Sequence, residues 1–347
     1  MMAHPYIWVP KFRILEPKRE LSLPIGTMRG YFRMEAGKRD GRRRTLTEWF
    51  PNLIVDGGLD YVGGVATGQN LSTCYVGTGT SAPDANDTAL ATSIASTDTL
   101  QANSRSAQSE APFYAAVTRT WRFGEGAAAG NLAEVGVGTA DVGSSGVLWS
   151  RARILDAESN PTTITVLSDE FLDVVYQLRL YPPTDDVEST INLGSSDLVF
   201  DYVVRASIVN SSAVWGLLGH DALSGGNRQD GFAMGCNPAA SNHRVLDTAM
   251  VDNTTAISVS SGDSASSSTL ATYTPGNFYR DATVTWGPNT GNFGSGIARA
   301  VLRTGYQSVS AVRPCGAWQI GFSPAIPKDD TKVLDLVFRH TWARKTL

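Results

Sequence analysis

The chain has 347 residues, enough for two ordinary domains with a core in each. It is 42% hydrophobic and only 18% charged, below the usual quarter, which suits turn-rich β-structure and leaves too little Glu, Lys and Leu for a coiled coil. A net charge of −4 excludes a global positive field for holding nucleic acid. No run approaches about 18 consecutive apolar residues, so no transmembrane helix is expected.

Residues 1–27 combine Tyr6, Trp8, Phe12, Ile14 and Leu15 with Pro5, Pro10 and Pro17. The prolines disfavour a helix or a central strand, and the segment is too apolar for a plain disordered tail. It is expected to be an extended arm, packed either on a neighbouring subunit or back on its own domain. It lacks the charged-then-apolar pattern of a signal peptide, so synthesis in a cytoplasm is expected.

Met28–Glu35 and Arg43–Trp49 read as a hairpin. The dense basic run Lys38-Arg39-Asp40-Gly41-Arg42-Arg43-Arg44 lies at its turn, a solvated tip rather than a nucleic-acid or lipopolysaccharide patch. Leu53, Ile54, Leu59 and Val62 follow helical spacing and predict one short helix, opposed by Gly57-Gly58. Strands then dominate: Thr73–Gly77, Ala115–Phe123, Gly146–Leu155, Glu170–Tyr181 and Leu198–Ile208. In the fourth, Leu172, Val174, Tyr176, Leu178 and Leu180 share one face, with Asp173, Gln177 and Arg179 on the other. In the fifth, Leu198, Phe200, Tyr202, Val204, Ala206 and Ile208 face in, and Asp201, Arg205 and Ser207 face out. This period of two marks half-buried strands. Asn253–Thr274, rich in Ser and Thr, reads as a long surface loop or a weak polar hairpin.

Two ordered series repeat. Thr120-Trp121, Gly130-Asn131 and Leu172-Asp173-Val174-Val175-Tyr176 are echoed by Thr285-Trp286, Gly291-Asn292 and Leu334-Asp335-Leu336-Val337-Phe338. The predicted fold is therefore all-β: two tandem β-sandwich-like domains from a divergent internal duplication, with an N-terminal arm and one short helix. The expected divisions are arm 1–27, first domain 28–183, linker 184–192 and second domain 193–347.

Chemistry-bearing motifs are sparse. His340 shares strand parity with Leu336, Phe338 and Trp342, which makes it a core or interface histidine. No HExxH, GxSxG, Walker or EF-hand pattern occurs. Gly77-Thr78-Gly79 and Gly136-Val137-Gly138 lie among strands, so they read as turns rather than phosphate cradles. Cys74, Cys236 and Cys315 are widely spaced and expected to be reduced, buried thiols. No catalytic residue, metal site or cofactor is expected. Trp215, His220, Phe278, Tyr279, Trp286 and Phe293 lie in or near loops of the second half. They are either core filling, the favoured reading, or rings exposed for binding.

Trp49-Phe50-Pro51-Asn52-Leu53-Ile54, Gly58-Leu59-Asp60, Val76-Gly77-Thr78-Gly79-Thr80-Ser81-Ala82-Pro83 and Asp87-Thr88-Ala89-Leu90-Ala91 form an ordered series. Thr118-Arg119-Thr120-Trp121-Arg122-Phe123, Gly130–Gly138, Leu148–Ala152 and Asn160–Val166 continue it to Leu180-Tyr181. Over roughly 45–183, with a weaker match from Pro324 to Arg344, the chain resembles tail structural and tail-fibre-associated proteins of tailed bacteriophages. The resemblance implies a non-enzymatic virion subunit of the tail, baseplate or tip, working in trimeric or hexameric copies about the tail axis. It transfers no catalytic residue. Tyr6, Trp8 and Phe12 then become candidates for docking on other tail proteins. Trp215, His220, Phe278 and Phe293 become candidates for reading a host-surface receptor. A receptor-binding fibre module and a surface-glycan hydrolase are the rival functions, and neither nucleic-acid binding nor membrane insertion is expected.

Overall fold

The computed structural model describes residues 20–63, 71–194, 198–211, 214–215, 237–257, 262–307 and 312–346, with the backbone alone at 237–242, 304–307 and 312–315. Among these residues lie one helix, α1 (Asp56–Gly63), and strands in both halves of the chain. The first half holds β1 (Glu20–Gly37), β2 (Arg43–Thr45), β3 (Phe50–Pro51), β4 (Leu53–Ile54), β5 (Thr73–Gly77), β6 (Ser93–Thr97), β7 (Leu100–Gln108), β8 (Tyr114–Phe123), β9 (Gly130–Leu132), β10 (Glu134–Gly138), β11 (Leu148–Arg153), β12 (Ile164–Val166) and β13 (Phe171–Tyr181). The second half holds β14 (Val187–Asn192), β15 (Val199–Ala206), β16 (Asn237–Leu246), β17 (Asp263–Ser264), β18 (Ser267–Leu270), β19 (Tyr279–Trp286), β20 (Ile297–Gln307), β21 (Val312–Ile326) and β22 (Leu334–Arg344).

The predicted all-β class with one short helix is what the chain adopts. The two halves also share one strand order. In the first, β4-β11-β10-β5-β6 form one sheet and β7-β8-β13 run side by side in another. In the second, β15-β21-β20-β16-β17 and β18-β19-β22 repeat that arrangement, every pairing within these runs being antiparallel in both halves. The echoed Thr-Trp and Leu-Asp sequences fall on equivalent strands, β8 with β13 and β19 with β22.

The boundaries differ from those expected. β1 is one strand from Glu20 to Gly37, so residue 28 is no boundary: Glu20–Met28 pair in parallel with β22 while Thr27–Gly37 pair antiparallel with β13. This strand joins the halves into a nine-stranded sheet that β18 and β7 close at its two edges. Residues 187–192 of the expected linker are β14, paired with β15. The alternation of Val187, Ser189 and Ile191 was hidden behind the Pro182-Pro183 turn signal. The Ser/Thr-rich stretch contains β17 and β18, which pair with β16 and β19 and not with each other, so it is neither a free loop nor a hairpin of its own.

Burial follows the alternation. Leu21, Leu23, Ile25, Met28, Phe32 and Met34 of β1 point inward, with Leu172, Val174, Tyr176, Leu178 and Leu180 of β13. They meet Trp149 from the first small sheet and Trp318 from the second, and the core is continuous across both halves. Burial of each such side chain contributes about 1.5–3 kcal/mol, which fixes the register. At the ends of the fifth predicted strand the parity fails: Leu198 is exposed and Ser207 buried, because Ser207 accepts a hydrogen bond from Gln319 Nε2 through its hydroxyl.

The glycine doublet at 77–79 does wrap an anion, and the anion is the chain's own. Glu134, fully buried, accepts from the N–H groups of Gly79 (3.0 Å), Thr92 (2.7 Å) and Ala91 (3.0 Å) and from Arg151 Nε (2.8 Å). A Cβ at Gly79 would stand 2.3 Å from Glu134 Oε1, so only glycine admits the carboxylate there.

His340 is fully buried, as its parity predicted, with Trp318 edge-on at 5.0 Å and neither ring nitrogen hydrogen-bonded. Burial and the neighbouring His243 push its pKa down to about 3. The folded value lies below the unfolded one near 6.5, so stability is full above pH 6.5 and lost as pH falls towards 3, by about 1.4 kcal/mol per unit. Glu170, which Arg44 holds at about 2, acts only below pH 4.5. Urea midpoints between pH 6.5 and 4.5 are therefore expected to fall in the native chain and to fall less in His340→Phe. An unchanged slope in the variant would remove the histidine from the account.

Candidate functional site

The inner face of the nine-stranded sheet lies under the two smaller sheets. Its outer face carries the alternate residues: Arg29, Tyr31, Arg33 and Glu35 of β1, Asp173, Gln177, Arg179 and Tyr181 of β13, and Tyr114, Thr118 and Arg122 of β8. Arg29 stands opposite Arg179 and Tyr31 opposite Gln177, which sets Tyr31 diagonally beside Arg179, within reach of long side chains. The Arg179 guanidinium lies 4.5 Å from the Tyr31 ring and 4.6 Å from Tyr114; Arg29 lies 5.2 Å from Tyr31, and Lys345 Nζ is 4.7 Å from Tyr181. Tyr114 and Tyr181 approach at 5.6 Å. Arg179 is held in plane by its Nε donating to Gln177 Oε1 (2.6 Å), whose amide in turn donates to Thr118 Oγ1 (3.0 Å). Burial, then a hydrogen bond with Tyr181, raises the Tyr31 pKa. Stacked guanidinium groups keep their N–H edges free for planar anions.

Charge divides this face in two. At the hairpin end every cation meets a carboxylate: Lys38 with Asp169, Arg39 with Glu125, Arg42 with Asp40, Arg43 with Asp173, and Arg44 with Glu170. Arg122 adds a two-point contact to Asp173, at 2.7 Å for each bond, and covers Phe171 at 4.0 Å. The dense basic run is thus neutralised at home. At the other end, Arg29, Arg179 and Lys345 have no carboxylate within ion-pair distance among the described residues. Arg33 lies between, paired with Glu35 at 2.9 Å and stacked on Trp49.

Among the described residues, the tryptophan and phenylalanine candidates of the second half are not exposed readers. Trp215 is fully buried, donates Nε1–H to the Ser207 carbonyl at 2.9 Å and packs edge-on against Trp318 at 5.0 Å. This corrects its assignment to a receptor loop, since its ring fills the second-half part of the continuous core. Phe278 and Phe293 are half-buried and pack against that core, and Trp286 lies within it. His220, like Tyr6, Trp8 and Phe12, lies outside the described residues. The open Arg–Tyr face was missed because its members are scattered singly over three strands. The signal was the outward parity of β13, where Gln177, Arg179 and Tyr181 follow one another.

Cys74 is buried, and burial raises its thiol pKa. Among the described residues no three His, Cys, Asp or Glu groups converge to hold a metal ion, and no helix is long and apolar enough to cross a membrane. No family model, curated protein or solved structure matches the chain.

Proposed function

We propose that the chain is a structural subunit of a tailed-phage virion, at the tail tip or baseplate or beside the fibre, and that its work is contact with other tail proteins and with copies of itself. The observation that carries this reading is the end of the outer face where Arg29 and Arg179 interleave with Tyr31, Tyr114 and Tyr181 without acidic partners among the described residues. Arg and Tyr are the residue types that dominate interface energetics, and a half-exposed, pre-stacked set loses little conformational freedom on docking. One sheet running through both halves supplies a stiff platform for it. The tail resemblance read in the sequence supplies the setting.

The double variant Arg29→Glu/Arg179→Glu is expected to fold, with stability within roughly 0.5 kcal/mol of native as for surface substitutions, and to fail to enter particles. Electron microscopy of virions carrying labelled protein, with mass spectrometry of purified particles, checks this. Particles that lack the native protein, or that take up the double variant normally, would overturn the proposal. The rival reading as a receptor module loses its strongest ring to the core at Trp215.

A further inference from the structure

Beyond Arg29 and Lys345 the face rolls into a groove of about 520 Å³ where the two halves meet. Its floor is apolar: Pro51, Leu53, Ile54, Pro83, Leu155 and Pro161. Four cations line it as well. Arg344 is satisfied by Asp56 and the Ile54 carbonyl. Among the described residues Arg29 and Lys345 have no carboxylate partner, and Arg153 donates to the Thr80 carbonyl while its buried Nε has none. Three bases thus converge without an acid in a chain whose acids outnumber its bases, 33 to 29.

We propose that this groove docks an extended acidic peptide segment of a partner protein, with an aliphatic side chain on the proline floor and flanking carboxylates on Arg29, Arg153 and Lys345. The charge asks for an anion, and the floor decides which kind. Proline has no N–H and Leu and Ile offer no polar group, and beside them only Asn52 and Thr346 line the groove with neutral polar side chains, so most hydroxyls of a sugar or oxygens of a phosphate backbone would lose their water there without replacement. An extended peptide alternates apolar and acidic groups and meets both demands. The volume suits a ligand pocket but is narrow for a helix some 10–12 Å across.

The second half makes the contrast. Its groove of about 510 Å³ sits at the equivalent strand ends and is lined by Leu198, Ile326, Pro327 and Val333 with Lys328 and Lys332. There the cations are already used: Lys328 donates to the Gly287 carbonyl and Asn292 Oδ1, each at 2.8 Å, and Lys332 pairs with Asp329. Acid selectivity therefore belongs to the first groove. This inference stands on the groove and not on the virion reading.

The test is selection of a random dodecapeptide library on the intact chain. Fluorescence anisotropy of the recovered peptides then follows, on native protein, Arg29→Glu and the exposed-site variant Lys345→Glu, with melting curves as the control for folding. The recovered peptides are expected to carry at least two Asp or Glu around an aliphatic residue. Binding should weaken with added salt and fall at least about tenfold on each variant, and oligogalacturonate of equal charge should not compete. Recovery of no peptides or of peptides without acids, binding untouched by both variants, or equal competition by the oligosaccharide would overturn it.

Discussion

Replacing Arg151 by methionine is expected to cost about 3–5 kcal/mol of unfolding free energy, the usual penalty when a buried ion pair loses one partner. Arg151 is 2% exposed and its partner Glu134 fully buried. The guanidinium also reaches Asp87 (2.7 Å) and the Ser81 hydroxyl (2.9 Å), so one side chain fastens both limbs of the loop 78–92 to the first small sheet. Removal leaves Glu134 with only the three backbone donors of that loop. Adding Glu134→Gln should recover part of the loss, because the amide oxygen still accepts from those donors and no charge is stranded. Urea unfolding of the native chain and of the two variants measures both effects. Limited proteolysis should show new cleavage within 78–92 in the single variant. A loss below about 1 kcal/mol would mean that water reaches Glu134 and that the pair is not the loop's anchor.

The sequence spoke clearly where one period ruled a whole strand. Leu172 to Leu180 and Leu334 to Trp342 keep every inward position apolar or aromatic, with Val175 and Val337 the apolar residues on the other parity, so their inner faces, the buried His340 and the repeated pattern around Trp121 and Trp286 were all readable. It spoke poorly where the deciding fact is a partner far along the chain. Nothing near Glu20 announces a parallel neighbour at Val337, so the joining of the halves was not legible and a boundary was placed inside a strand. Charge misled in the same way. Seven residues crowded with Lys and Arg drew notice at 38–44, yet Asp40 within the run and acids from 125 to 173 silence them. The cations left without acids among the described residues, Arg29, Arg179 and Lys345, are isolated in sequence and gathered only by register. Trp215 in a glycine-rich stretch reads from the sequence as either core filling, the favoured reading, or an exposed ring, and its packing against Trp318 decides for the core.

Trp342→Ala tests whether the halves unfold as one body. Trp342 belongs to the second half, yet its Nε1–H donates to the Leu59 carbonyl of α1 at 2.9 Å and its ring lies 5.8 Å from Tyr273. Tyr273 donates its hydroxyl to Asp60 at 2.6 Å, the Gly276 N–H donates to the same carboxylate, and Arg280 donates to the Gly63 carbonyl at 2.9 Å. The helix of the first half is thus gripped by second-half residues along its length. Truncating a buried tryptophan costs about 3–5 kcal/mol, which for a chain of this size lowers the melting temperature by roughly 4–7 °C. Because β1 pairs with both β13 and β22, the loss cannot stay in one half. Far-ultraviolet circular dichroism and tryptophan fluorescence should report a single coincident transition, shifted as a whole. Two transitions, with only one displaced, would show that the sheet parts at β1 and β22 and that the halves are separate domains after all.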